Sequence, residues 1–188
     1  MDKTPLVNIN TVSKDIVLDI RYATSNNFTH HIIYESAACY VHQDIVKPLQ
    51  RVVAELAQHN LKLKIFDAYR PVSAQFIFWE IIPDERFIAN PYTTGSNHSR
   101  GVAIDATLVD AAGNELAMPT PFDTFDETAY STFRDLPAPV LANRTFFHTL
   151  MQNHGFIPLP TEWWHFDFGN RNNYPIITTI EALQKQEI

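Results

Sequence analysis

Cysteine is almost missing from this chain. Cys39 is the only one in 188 residues, so no internal disulfide can form and the fold must be held by burial. Set in the run Ala-Ala-Cys-Tyr-Val, that thiol reads as a small buried apolar group rather than a nucleophile. Long apolar runs are also lacking: nothing approaches the roughly 20 residues that a membrane span requires. The start, Met1-Asp2-Lys3-Thr4-Pro5-Leu6, has no positively charged region leading into an apolar segment, so the expected location is the cytoplasm. Basic residues are outnumbered, 14 Lys plus Arg against 21 Asp plus Glu, for a net charge of −7. That balance argues against nucleic acid and against anionic membranes, both of which are bound by neutralising negative charge. No internal repeat or low-complexity segment is present.

Hydrophobic residues at 45% and charged residues at 19% are values for a globular protein, and 188 residues suffice for one domain with a sizeable core. The expectation is a single domain over residues 1–188.

The stretch Ser96-Asn97-His98-Ser99-Arg100-Gly101-Val102-Ala103-Ile104-Asp105 organises the rest. From Val102 to Val109 the pattern predicts a strand, with Val102, Ile104, Ala106 and Leu108 on one face and Ala103, Asp105, Thr107 and Val109 on the other. Gly101 lets the chain turn just before it, so His98 can come back over the face that carries Asp105. Imidazole nitrogen and carboxylate oxygen both suit zinc, and a catalytic zinc usually takes three protein ligands plus one open position. Glu162-Trp163-Trp164-His165 offers the third ligand, a second imidazole three residues after a carboxylate that could act as a base. Either half alone is a weak signal; a lone E-x-x-H differs from the H-E-x-x-H helix, in which two His share one face.

Around these motifs, Ile16–Tyr22 reads as a strand followed by turn residues through Phe28, and His30 and His31 as surface residues. Apolar residues at three- and four-residue steps predict an amphipathic helix between His42 and His59, either kinked at Pro48 or starting near Lys47, with Asn60 just past its end. Leu61–Asp67 alternates as a strand. Arg70, before Pro71, is held extended, where its guanidinium can reach across a cleft or form a buried ion pair with Asp67 or another acid. A helix is expected over Ser73–Ile82, then a rim loop over Asn90–Gly95. Asn143 is expected to cap a helix from Arg144 to His154 that stops at Gly155. The last strand has Trp164, Phe166 and Phe168 on its core face and Trp163, His165 and Asp167 opposite; Glu162 needs a bend to join the site. Thr179–Gln186 reads as a short peripheral helix.

Taken together, Ser96-x-His98-Ser99-Arg100-Gly101-x-Ala103-Ile104-Asp105, Glu162-Trp163-Trp164-His165 and Asp67-Ala68-Tyr69-Arg70-Pro71 closely resemble the zinc D-alanyl-D-alanine dipeptidases, relatives of the vancomycin-resistance dipeptidase. The resemblance extends to Tyr22-Ala23-Thr24, Asn27-Phe28 and Phe122-Asp123. Asn97, where the family often has Ser, and Pro119, where it has Gly, depart from the pattern. The resemblance implies an α+β domain of the hedgehog/D,D-peptidase kind, an antiparallel sheet packed by helices with the metal on its open face. It implies one Zn2+ per chain, held by His98, Asp105 and His165, with Glu162 as acid/base and Arg70 beside the reacting carbonyl. Asp123 would pair with the free ammonium of a small D,D-dipeptide, with Tyr22 near it and Ser96 as a hydrogen-bond donor. The rival expectations are a zinc D,D-carboxypeptidase or endopeptidase acting on longer peptidoglycan stems, and a zinc-binding module without activity. Oligomeric state is not legible in the sequence.

Overall fold

The computed structural model describes residues 4–178. In chain order its main elements are β1 (Leu6–Asn8), β2 (Val17–Leu18), β3 (Tyr40–His42), α1 (Gln43–Gln58), β4 (Leu61–Asp67), α2 (Val72–Ile81), β5 (Ala103–Asp110), α3 (Ala138–Asn153), β6 (Phe156–Pro158) and β7 (His165–Phe168). Five strands form one sheet in the order β2-β4-β5-β7-β6, and β1 pairs with β3 in a small second sheet. The α+β class expected from the sequence is the class observed. The large sheet is antiparallel except at one edge, where β2 runs parallel to β4.

One face of the sheet is apolar because the strands alternate. Leu63 and Ile65 of β4, Ile104, Ala106 and Leu108 of β5 and Phe166 of β7 all point to the side covered by α1 and α3. Ile45, Leu49, Val52 and Leu56 supply the stripe of α1, and Phe147, Leu150 and Met151 that of α3. Each such side chain, fully buried, contributes about 1.5–3 kcal/mol, and together they fix which face is left for chemistry. Cys39 and Val41 belong to the same core, as the apolar reading of the thiol requires. His30 and His31 are exposed.

Several boundaries differ from the sequence pattern, each for a local reason. The expected strand over 16–22 is only two residues long, because after Asp19 bonds back to the Ile65 carbonyl at 2.9 Å the chain tightens into a 3-10 turn over Arg21–Ala23. Tyr22 therefore leaves the sheet on a turn. Helix α1 starts at Gln43 rather than near Lys47, since His42 Nδ1 accepts the Asp44 amide and caps it, and Pro48 sits inside with its ring buried. Asn60, at φ 56°, ends it as expected. Helix α3 starts at Ala138, not Arg144: Pro139 falls in the first turn, where a missing amide costs nothing. Asn143 is thus interior, and its side-chain amide donates to the Ala117 carbonyl at 2.9 Å. Gly155, at φ 89°, is the stop. The expected helix at 179–186 lies outside the described residues. Among the described residues no helix is long and apolar enough to cross a membrane.

Candidate metal centre

The open face of the sheet gathers the chemistry. Asp105 on β5 lies directly opposite His165 on β7 in the strand register, so two of the expected ligands are neighbours by pairing alone. Gly101 brings in the third. Its φ of 72° turns the chain out of the 3-10 turn His98–Arg100 into β5, and a Cβ there would lie 2.7 Å from Leu6 Cδ2 and 3.0 Å from the His42 nitrogen. Glycine is therefore required both by conformation and by space.

The three ligand atoms lie within 4.8 Å of one another, and all three side chains are buried. His165 Nδ1 is 2.9 Å from Asp105 Oδ1, and His98 Nε2 is 3.3 Å from Asp105 Oδ2 and 3.1 Å from His165 Nδ1. The outer ring nitrogens are already committed: His98 Nδ1 donates to the Ala68 carbonyl at 2.7 Å, and His165 Nε2 donates to Asp167 Oδ1 at 2.9 Å. Each imidazole thus turns a lone pair inward beside a carboxylate. Two lone pairs and an anion at this range repel unless something positive sits among them, which is the donor set of a divalent cation. Burial pushes the Asp105 carboxyl up, but with the rings of His98 and His165 protonated in place of a cation, their positive charge and hydrogen bonds outweigh burial and hold it below the usual range.

Glu162 enters from the side. It is carried by a turn before β7, pinned where the Trp163 amide meets the Ala129 carbonyl at 2.9 Å and where Ser131 Oγ donates to the Leu159 carbonyl at 2.6 Å. Trp163 and Trp164 pack with Ala129 beneath that turn instead of extending the strand, so β7 begins only at His165. This is the bend that the odd spacing of Glu162 demanded. Its Oε2 is 3.9 Å from His165 Nδ1, and burial raises the carboxyl to about 8, a shift that a bound cation would oppose.

Arg70 forms the buried ion pair with Asp67 and also lines the cavity. Its Nε and one terminal nitrogen bond Asp67 Oδ2 at 2.9 and 2.8 Å, the other terminal nitrogen bonds Gln75 Oε1 at 3.0 Å, and the guanidinium still comes within 3.5 Å of Asp105 at the cavity wall. Asp67 is fully buried and also accepts Tyr34 Oη at 2.9 Å. Gln75 in turn donates to the Ala89 carbonyl of the rim at 2.7 Å. Neither Gln75 nor the ring stack of Phe78 under the guanidinium was visible in the motifs; Gln75 looks like any polar residue of a short helix.

A cavity of about 520 Å³ joins these groups, and its wall includes Tyr22, Arg70, Ser96, Asp123, Glu162 and His165. All eight residues singled out from the sequence line it. At one end Tyr22 Oη donates to Asp123 Oδ1 at 2.9 Å, and Asp123 holds a left-handed φ of 62°. Burial raises the Asp123 carboxyl to about 7. Ser96 Oγ accepts the His98 amide at 3.2 Å. The Asn90–Gly95 loop contributes Asn90, Thr94 and Gly95 to the rim.

A family model described as D-ala-D-ala dipeptidase matches residues 2–183. D-alanyl-D-alanine dipeptidase of Escherichia coli K12 is 36% identical over 176 residues, covering 94% of this chain and 91% of its own length. The enzyme of the same description from Enterococcus faecalis V583 is 30% identical over 168 residues, covering 79% of this chain and 83% of its own. Among solved structures, a mutant of the vancomycin-resistance D,D-pentapeptidase VanY in complex with Zn(II) aligns with a TM-score of 0.45 and 16% identity, covering 80% of this chain and 79% of that one.

Proposed function

The chain belongs to the D-ala-D-ala dipeptidase family of metallopeptidases, and we propose that it hydrolyses D-alanyl-D-alanine to two molecules of D-alanine in a zinc-dependent reaction. The observation that carries the reading is the convergence of three inward-facing ligand atoms beside a buried carboxylate and a buried guanidinium.

His98, Asp105 and His165 would hold the metal. Zinc, when bound, supplies the Lewis acidity that polarises a peptide carbonyl and acidifies water. Glu162 accepts the proton of the attacking water and returns one to the leaving amine, work for which a buried carboxyl with a raised proton affinity is suited. Arg70, locked by Asp67 and Gln75, faces the negative charge that develops on the carbonyl oxygen and needs no reorganisation to do so. Asp123 receives the substrate ammonium, and that pairing returns to the buried carboxylate a countercharge it otherwise lacks. Tyr22 orients Asp123, and Ser96 offers a donor to the peptide.

Selectivity for a free dipeptide follows from the buried carboxylate of Asp123. A longer peptide presents a neutral amide there and leaves the acid buried without a cation. Turnover of D-Ala-D-Ala and of its N-acetyl derivative tests this: the account predicts hydrolysis of the first only. Equal turnover of both would transfer the chain to the stem-peptide hydrolases.

A further inference from the structure

We propose that Asp167 is a positioning residue of the metal centre, acting through His165, and that Asn97 holds Asp167 in place. The proposal rests on the metal-binding reading above.

His165 can present either ring nitrogen to a metal, and which one is set by what the other nitrogen bonds. Here Nε2 is tied to Asp167 Oδ1 at 2.9 Å, and Nδ1 is the atom within reach of His98 and Asp105. Asp167 lies two residues beyond His165 on the same face of β7, so the strand itself delivers the carboxylate to the outer edge of the ring. The Asn97 side chain lies close enough to that carboxylate to help keep it ionised. Its buried oxygen has no partner among the described residues, which leaves the amide nitrogen to face Asp167. Asn97 adjoins His98, and the contact therefore links the two chain segments that carry the imidazole ligands. Among the described residues no other carboxylate pairs with Nε2, and the ring of His98 is braced differently, by the Ala68 carbonyl at 2.7 Å with the Asp67 carboxylate farther off at 3.8 Å. A carboxylate behind a ligating imidazole fixes its tautomer and raises its basicity, and losing such a partner typically weakens metal binding 10- to 100-fold.

The test is zinc affinity, by competition with a chromophoric chelator, together with the visible spectrum of the Co(II)-substituted protein, for wild type, Asp167→Asn and Asp167→Ala. Asp167→Asn keeps an oxygen to accept Nε2–H and should preserve the Co(II) spectrum with a modest loss of affinity. Asp167→Ala should lose roughly 10- to 100-fold in zinc affinity and alter the spectrum, and Asn97→Ala should fall in the same direction by less. Zinc affinity and Co(II) spectrum unchanged in Asp167→Ala, with wild type binding zinc, would overturn the proposal and leave the metal centre standing. Equal losses in the Asn and Ala variants would overturn it too, since the accepted hydrogen bond would then not be what matters. Wild type that binds no zinc would overturn the metal-binding reading itself, and this inference with it.

Discussion

Tyr22 and Asp123, 101 residues apart in sequence, meet in a hydrogen bond of 2.9 Å in the wall of the cavity. Tyr22 is buried against Phe78, Phe28 and Phe122, so the phenol is fixed and the carboxylate is held in one place by it. The price of that placement is desolvation, which lifts the Asp123 carboxyl to about 7.

Binding of an ammonium requires Asp123 ionised, so kcat/KM for the dipeptide should decline as pH falls through about 7, or just below once a bound cation opposes the shift. Asp123→Asn should lower kcat/KM by roughly 10- to 100-fold, the value of a hydrogen bond to a charged group, and remove that limb. A pH profile of the variant that keeps the wild-type limb would refute the assignment. The same shift has a stability consequence. Folded Asp123 binds its proton more tightly than the unfolded chain does, so its contribution to stability falls as pH rises from about 4 through about 7. Thermal unfolding of metal-free wild type and Asp123→Asn across that range should show the difference.

Glu162→Ala should retain zinc and lose about 10²- to 10⁴-fold in kcat, the span of general acid/base catalysis. Metal content and turnover measured on one preparation check it. Activity close to wild type would mean that another group moves the proton.

His165→Ala should lose zinc and turnover together, because it deletes a ligand. Ligand imidazoles compete with protons, so wild-type activity should fall below about pH 6 as metal is released. Full activity at pH 4.5 with zinc retained would contradict this ligand set.

Gly101→Ala places a Cβ at 2.7 Å from Leu6 Cδ2 in a left-handed conformation. The strain of about 1–2 kcal/mol should lower the melting temperature by about 2–4 °C per kcal/mol and weaken zinc binding by shifting His98. Calorimetry would decide, and an unchanged melting temperature would show that the turn relaxes freely.

The three residues of the candidate metal centre are legible because each sits on a short-range rule: strand parity for Asp105, a glycine turn for His98, an aromatic strand for His165. Strand pairing then did what no local pattern states, setting Asp105 opposite His165. The start of α3 was misplaced because two prolines flank Ala138, and proline reads as a break although the first helical turn tolerates it. The expected strand at 16–22 failed because edge pairing, not apolar content, sets its length. Asp167 was placed on the His165 face, yet its bond to the ring depends on which nitrogen turns inward, and only the assembled site decides that. Gln75 gave no signal at all, since its two partners, Arg70 and Ala89, are joined only by the packing of the rim.

Alanine release from D-Ala-D-Ala, L-Ala-L-Ala and a stem pentapeptide, by protein whose zinc content has been measured, separates a dipeptidase from a stem-peptide hydrolase. Turnover of the D,D-dipeptide alone is expected, abolished by a chelator and restored by zinc. Cleavage of the pentapeptide with the free dipeptide untouched would contradict the dipeptidase reading.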